Sequence, residues 1–124
     1  MTDVPTVIED WVATWHQSDP ELRARAIAAL WAEDCVYRNT RAEYHGRAGI
    51  EQAVTEAHQH FVADGGYAFR IARVDTNHDA VRYTWEMVPA AGGPPEAIGT
   101  HVALMNLDGR LQNDHQFIDK QVAA

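Results

Sequence analysis

The segment from Asp108 to Asp119, DGRLQNDHQFID, puts Asn113, Asp114, His115 and Gln116 where a closing strand would be expected to carry core residues. Residues two apart on a strand point to the same side. Alternation therefore groups Gln112, Asp114 and Gln116 and separates them from Leu111, His115 and Phe117. The run before it, GTHVALMNL, pairs with this strand through the Asp108-Gly109 turn signal. A two-residue turn sets His101 opposite Gln116 with Asp114 diagonal, and a four-residue loop sets His101 opposite Asp114. Both registers leave His101, Asp114 and Gln116 on one face. A carboxylate beside an imidazole passes protons near neutral pH, and a neighbouring glutamine can orient a carbonyl or a water. This is an acid–base set without a nucleophile. It suits enolisation, aldol-type cyclisation, isomerisation or loss of water. The ordinary alternative is that Asp114 is solvated, or is a partner of Arg82 or Arg110, and that His101 is a structural histidine.

The elements that position these residues follow from periodicity. From Val7 to His16 the apolar residues fall at helical spacing, with Trp11 and Trp15 on the buried stripe. Ser18 with Glu21 three residues later has capping-box spacing and Pro20 suits a first turn, so a second helix is predicted from there to about Glu33. GIEQAVTEAHQHF forms a third amphipathic helix, stopped by Gly65-Gly66, and a short edge strand is predicted within CVYRNTRAEYHG. After Gly66 the period becomes two, in the strands YAFRIARVD, AVRYTWEMVP, GTHVALMNL and RLQNDHQFID. Turns fall at Thr76 to Asp79, Ala90 to Pro95 and Asp108-Gly109. Parity along AVRYTWEMVP turns Val81, Tyr83, Trp85 and Met87 toward the helices. Helices first and an antiparallel meander afterwards define an α+β domain, read as a single domain over residues 1–124.

Ten Lys and Arg against eighteen Asp and Glu give a net charge of −8, which disfavours nucleic acid and anionic lipid as partners. The longest apolar run, AIAALWA, is too short to span a bilayer. One cysteine, Cys35, cannot form an internal disulfide, and the acidic N-terminus lacks a basic leader, so a cytoplasmic location is expected. No glycine-rich phosphate loop and no zinc-type spacing occurs. His58 and His60 are two apart on a helix and point away from each other. The expected cofactor and metal complement is therefore none.

The phrases LWAEDCVYRN, YHGRAGIEQAV and the DGRL hairpin, together with the element order, resemble the nuclear transport factor 2-like superfamily, in its branch of SnoaL-like polyketide cyclases and ketosteroid isomerases. The resemblance implies a cone-shaped curved antiparallel sheet wrapped around the N-terminal helices (a cystatin-like α+β barrel) with an internal pocket. It puts Asn39 where the isomerases carry their base aspartate, Trp11 at their oxyanion tyrosine and His101 at their oxyanion aspartate. It also implies that Asp114 faces inward. Hydrophobicity alone would instead bury Leu111 and Phe117. The inward reading is adopted because Leu111, Phe117, Val102 and Leu104 would then form an outer face, costly to leave in water and covered in a homodimer. The resulting expectation is a cofactor-independent isomerase, cyclase or lyase acting on a small hydrophobic carbonyl compound. Asp114 and His101 are the catalytic candidates, and Gln116, Asn39, Trp11, Trp15, Tyr83, Trp85 and Met87 the substrate-binding ones. The alternative is a non-catalytic ligand-binding or dimerisation module.

Overall fold

The computed structural model describes residues 3–121. Helix α1 (Val4–Thr14) starts three residues earlier than its apolar stripe suggests, with Pro5 in its first turn, and buries Ile8, Trp11 and Val12. Helix α2 (Pro20–Leu30) is capped by Asp19, whose side chain accepts the Glu21 N–H at 2.9 Å. Ser18 is therefore not the cap. Its carbonyl, with those of Gln17 and the hydroxyl of Thr55, receives the buried guanidinium of Arg23. The helix also ends before Glu33. Trp31 has extended backbone and opens β1 (Trp31–Arg38), because its apolar ring fits equally well on the buried side of a strand.

The next elements are β2 (Glu43–His45), α3 (Gly46–Ala57) continuing into a π-helical turn (His58–Asp64), β3 (Tyr67–Asn77), β4 (Ala80–Pro89), β5 (Ala97–Met105) and β6 (Leu111–Lys120). The six strands form one sheet in the order β2-β1-β6-β5-β4-β3. All neighbours are antiparallel except β1 and β6, which run parallel, so the expected edge strand near Cys35 lies inside the sheet and the short β2 forms the edge. Helix α1 packs against β3, and α2 and α3 against β1. The fold is thus α+β with the helices gathered on one side of a curved sheet. None of the described helices is long and apolar enough to cross a membrane.

Register shifts bend the sheet, since an extra residue in one strand kinks it and increases local twist. One lies between Ile71 and Arg73 in β3 and two lie in β6, where Asp119 and Gln112 are passed over in the pairing with β5. The second of these corrects the expected turn. The β5–β6 connection is not a two-residue Asp108-Gly109 turn: Asn106 N–H bonds the Arg110 carbonyl, and Asn106 Oδ1 accepts the N–H groups of Asp108 and Arg110. Gly109 closes it with φ +78°. Met105 then pairs with Leu111, and the bulge at Gln112 shifts the ladder so that His101 faces Gln116 and Ala103 faces Asp114. Leu111 and Asp114, three apart, both point inward and are fully buried. Leu111 is therefore core and not part of the outer apolar face. The Gln112 side chain holds the bulge by bonding the Asp34 carbonyl and Oδ1, each at 3.1 Å.

His16, just past α1, fastens that helix to β3. Its Nε2 accepts the Phe69 N–H at 2.9 Å, so the ring must be neutral for the contact to form. Burial lowers its proton affinity from the ordinary value of 6.5; a hydrogen bond to Val12 opposes the shift and nearby His58 adds to it. An unfolded chain would take up this proton near 6.5 while the folded chain resists, so stability present above that pH is lost as pH falls through the lowered folded value. Chemical denaturation between pH 7.5 and 5 is expected to show this loss. His16→Gln, whose amide oxygen can still accept the Phe69 N–H, should show a shallower decline; an identical decline would remove His16 from the account.

Candidate active site

Strand β4 delivers Tyr83 and Trp85 to the interior, β5 delivers His101, β6 delivers Asp114 and Gln116, and α1 delivers Trp11 from the opposite layer. Their polar atoms meet in one network. The Asp114 Oδ2 accepts the Tyr83 hydroxyl at 2.6 Å and lies 2.9 Å from His101 Nδ1. The Trp11 indole N–H donates to the Tyr83 oxygen at 2.9 Å, leaving the phenol's own hydrogen for Asp114. Burial, followed by the adjacent Asp114 charge, raises Tyr83 well above the usual phenol range, so it stays a donor.

The protonation pattern of His101 follows from its partners. The Trp85 indole, which can only donate, points at His101 Nε2 from 2.9 Å. Nε2 must therefore carry a lone pair and Nδ1 the hydrogen, which lies between Asp114 Oδ2 at 2.9 Å and the Tyr83 oxygen at 2.8 Å. Gln116 Nε2 stands 3.3 Å from the same Nε2. The imidazole lies flat between rings, 4.5 Å from the Tyr83 centroid at 24° and 6.1 Å from Tyr37 at 14°. Asp114 Oδ1 and Trp31 Nε1 are buried without a protein partner among the described residues.

Beside this network lies a cavity of about 510 Å³ between the helices and the sheet. Of the residues expected from the sequence to line it, Gln116, Asn39, Trp11, Trp15, Trp85 and Met87 do so. Asp114, His101 and Tyr83 do not: each is 0% exposed and lies behind the wall made by Trp85, Trp11 and Gln116. Strand parity had put them on the correct face but says nothing about depth. The alternatives of a solvated Asp114 or of pairing with Arg82 or Arg110 are also excluded, since Arg82 bonds Asp75 and Arg110 the Ala29 carbonyl. The Trp11 N–H is spent on Tyr83 and cannot donate into the cavity. Trp15 makes no such bond among the described residues, so its N–H is the indole donor left on the wall.

The inner end of the cavity is aromatic. Trp15, Phe69 and Trp85 meet edge to face, at 5.3 Å for Trp15–Phe69 and 5.2 Å for Phe69–Trp85, a favoured ring geometry. The other end is polar. Asn39 Oδ1 accepts the N–H groups of Arg41 and Ala42 at 2.9 Å each, which fixes the loop after β1. Tyr44 donates to Glu56 Oε2 at 3.0 Å. Arg41, Tyr44, Glu56 and His60 border this end, and none was anticipated, because exposed loop and helix positions carry no periodic signal. Among the described residues no three His, Cys, Asp or Glu side chains are grouped to hold a metal ion.

Residues 8–112 match the sequence pattern of the SnoaL-like domain. The chain belongs to the SnoaL-like family. A proposed isomerase of that family from Agrobacterium tumefaciens strain C58 is similar over 96% of this chain and 99% of its own, with 30% identity and a TM-score of 0.85. A proposed polyketide cyclase from Sinorhizobium meliloti shares 17% identity over 91% of this chain and 94% of its own, with a TM-score of 0.69. A ketosteroid isomerase-like fold from Catenulispora acidiphila, solved with trimethylamine, shares 17% identity over 91% and 85%, with a TM-score of 0.67. These last two likenesses are of fold. No curated protein sequence matches the chain.

In this SnoaL-like chain Trp85 can lie flat over β5 only because its cross-strand partner is Gly99. A methyl group there would stand 2.2 Å from Trp85 Cζ2 and 2.9 Å from its Nε1. Gly99→Ala is expected to push the indole off His101, cost about 1–3 kcal/mol by overpacking, and shift tryptophan emission. A variant with unchanged stability and emission would show that the indole is not held there.

Proposed function

We propose that this SnoaL-like protein is a cofactor-independent acid–base enzyme, an isomerase, cyclase or lyase, acting on a small apolar carbonyl compound in the 510 Å³ cavity. The observation that carries this reading is the direction of His101: Asp114 holds its Nδ1–H, so the basic Nε2 is turned to the cavity wall between Trp85 and Gln116. An aspartate that fixes the tautomer and supports the imidazolium is a recurrent way to make histidine a base. In the proposed step a substrate displaces the Gln116 amide and the Trp85 N–H from Nε2, which then takes a proton from the carbon next to the carbonyl. The Trp15 N–H, the Asn39 amide or the released Gln116 amide donates to the enolate oxygen. Return of the proton from Nε2 to another carbon gives isomerisation; attack of the enolate carbon on a second carbonyl, whose oxygen takes that proton, gives cyclisation; and departure of a β-hydroxyl with that proton, as water, gives elimination. A second reading, a ligand-binding module without turnover, is favoured by one observation: His101 and Asp114 are 0% exposed.

Exchange of α-protons with D2O, followed by NMR on a panel of small cyclic ketones and β-keto esters, separates the two. The enzyme reading expects catalysed exchange that falls at least about 100-fold in His101→Gln and in Asp114→Asn, the usual scale for loss of a positioned base. Exchange that survives both substitutions would remove the pair from the mechanism. Bound ligand with no exchange at all would leave the binding module.

We also propose a homodimer through the outer sheet face. Val102, Leu104 and Phe117 are 41%, 42% and 54% exposed on adjacent strands β5 and β6, more apolar side chain than a sheet usually leaves in water. Light scattering is expected to give a dimer for the wild type and a monomer for Phe117→Glu. A wild-type monomer would refute it.

A further inference from the structure

The polar end of the cavity has one feature that neither the buried network nor the apolar wall uses. The chain has nine arginines, and eight of them hold a protein partner: Arg23, Arg25, Arg38, Arg47, Arg70, Arg73, Arg82 and Arg110. Arg41 is different. Its backbone N–H is bound by Asn39, but its guanidinium makes no hydrogen bond or ion pair among the described residues. It is also the arginine that borders the cavity. In a chain with acids in excess, an unpaired guanidinium at a pocket mouth is set apart from the eight that found acceptors.

Two further observations make the position suited to a ligand. The loop that carries Arg41 is fixed, since Asn39 accepts two of its backbone N–H groups and its own N–H bonds the Ala42 carbonyl at 3.1 Å. The carboxylate across the mouth, Glu56, is already engaged on both oxygens, by Tyr44 at 3.0 Å and by Gln52 at 3.1 Å. Glu56 is thus held by two neutral donors, and neither of its oxygens is a partner of Arg41.

We propose that the cavity takes an amphipathic acid, with an apolar ring or chain against Trp15, Phe69 and Trp85 and a carboxylate on the Arg41 guanidinium. The planar fork of arginine matches a carboxylate in two parallel hydrogen bonds. This deepens the proposal that the cavity is the substrate site and rests on it. The substrate then carries two groups with separate tasks: a carboxylate that anchors at the mouth and a carbonyl that reaches inward toward His101.

A matched pair of probes tests this, 1-naphthoate and 1-naphthamide, which share one ring system and differ in charge. Both are small enough for the cavity, and binding is read by quenching of tryptophan emission. The wild type is expected to prefer the acid by about fivefold at low salt, a modest ratio because the guanidinium is exposed, with the preference shrinking as salt rises. Arg41→Gln should abolish that preference while leaving naphthamide affinity within about twofold. If both probes bind and the acid is not preferred, or Arg41→Gln leaves the preference intact, the Arg41 assignment fails and the cavity reading stands. If neither probe binds, the cavity reading fails and this inference with it.

Discussion

A carboxylate with no contact with solvent sets the terms for the interior of this protein. Asp114 is fully buried, and a buried charge without partners costs several kcal/mol or more. The neighbouring strands must therefore bring donors, and they do: Tyr83 from β4 and His101 from β5 converge on one oxygen. Each donor in turn needs its remaining polar atom met, which the indoles of Trp11 and Trp85 accomplish. Trp85 can reach its place only over Gly99, and Asp114 reaches its own only because a bulge at Gln112 lets it share the inner face with Leu111. One carboxylate thus constrains three strands and a helix. Such a network is a poor stabiliser, since apolar replacements of equal volume are often neutral or better. Stability alone gives no reason for its presence, which directs attention to the chemistry it can perform.

The same network explains why the inner end of the cavity is apolar although a polar cluster lies behind it. Trp11 and Trp85 turn their N–H groups into the network and their ring faces outward to the cavity. The wall is amphipathic by orientation of single side chains and not by choice of residue type. On the helical side, α3 passes into a π-helical turn at His58, a form of helix common near functional sites. It carries His60 and Phe61 to the cavity border, while His58 is buried with its Nδ1 bonded to the Trp15 carbonyl at 2.8 Å.

What could be read from the sequence was what depends on neighbours in the chain. The inward set on β4, from Val81 to Met87, follows from parity and is present. The parallel contact of β1 with β6 joins segments about 75 residues apart, as in the Tyr37–Asp114 pair, and no local pattern encodes it. Of the two registers the sequence leaves open, the one tied to a two-residue turn is present although the turn is longer than two residues, because the bulge at Gln112 restores the pairing that the shorter turn would give. Two irregularities cancelled. Leu111 was misplaced by the same bulge, because alternation assumes an unbroken pleat. Depth is likewise beyond alternation: parity counts Tyr83 among the cavity residues, whereas it sits behind the cavity wall. The mouth residues Arg41, Tyr44, Glu56 and His60 had only one hint, the Asn39-Thr40-Arg41 sequence, since asparagine favours loops closed by its own side chain.

The charge of the whole chain and the charge at the cavity mouth point in opposite directions, and distance decides between them. A net charge of −8 repels an anion in the surrounding solution, but at physiological salt exposed charges more than about 8 Å away are largely screened. An anion that has reached the mouth meets chiefly the charges within that range. There the Glu56 oxygens are turned to Tyr44 and Gln52, whereas the Arg41 guanidinium has no acceptor among the described residues. On the proposed reading, the net charge acts on large polyanions and the loop after β1 on small molecules at the mouth. The aromatic end adds affinity without regard to charge, so selectivity between an acid and its neutral analogue falls to the few polar groups at the opposite end. Under the proposed function the reacting carbonyl and the anchoring group are separated along the length of the ligand, and binding energy gained at the mouth would be available to move Gln116 and Trp85 away from His101 Nε2.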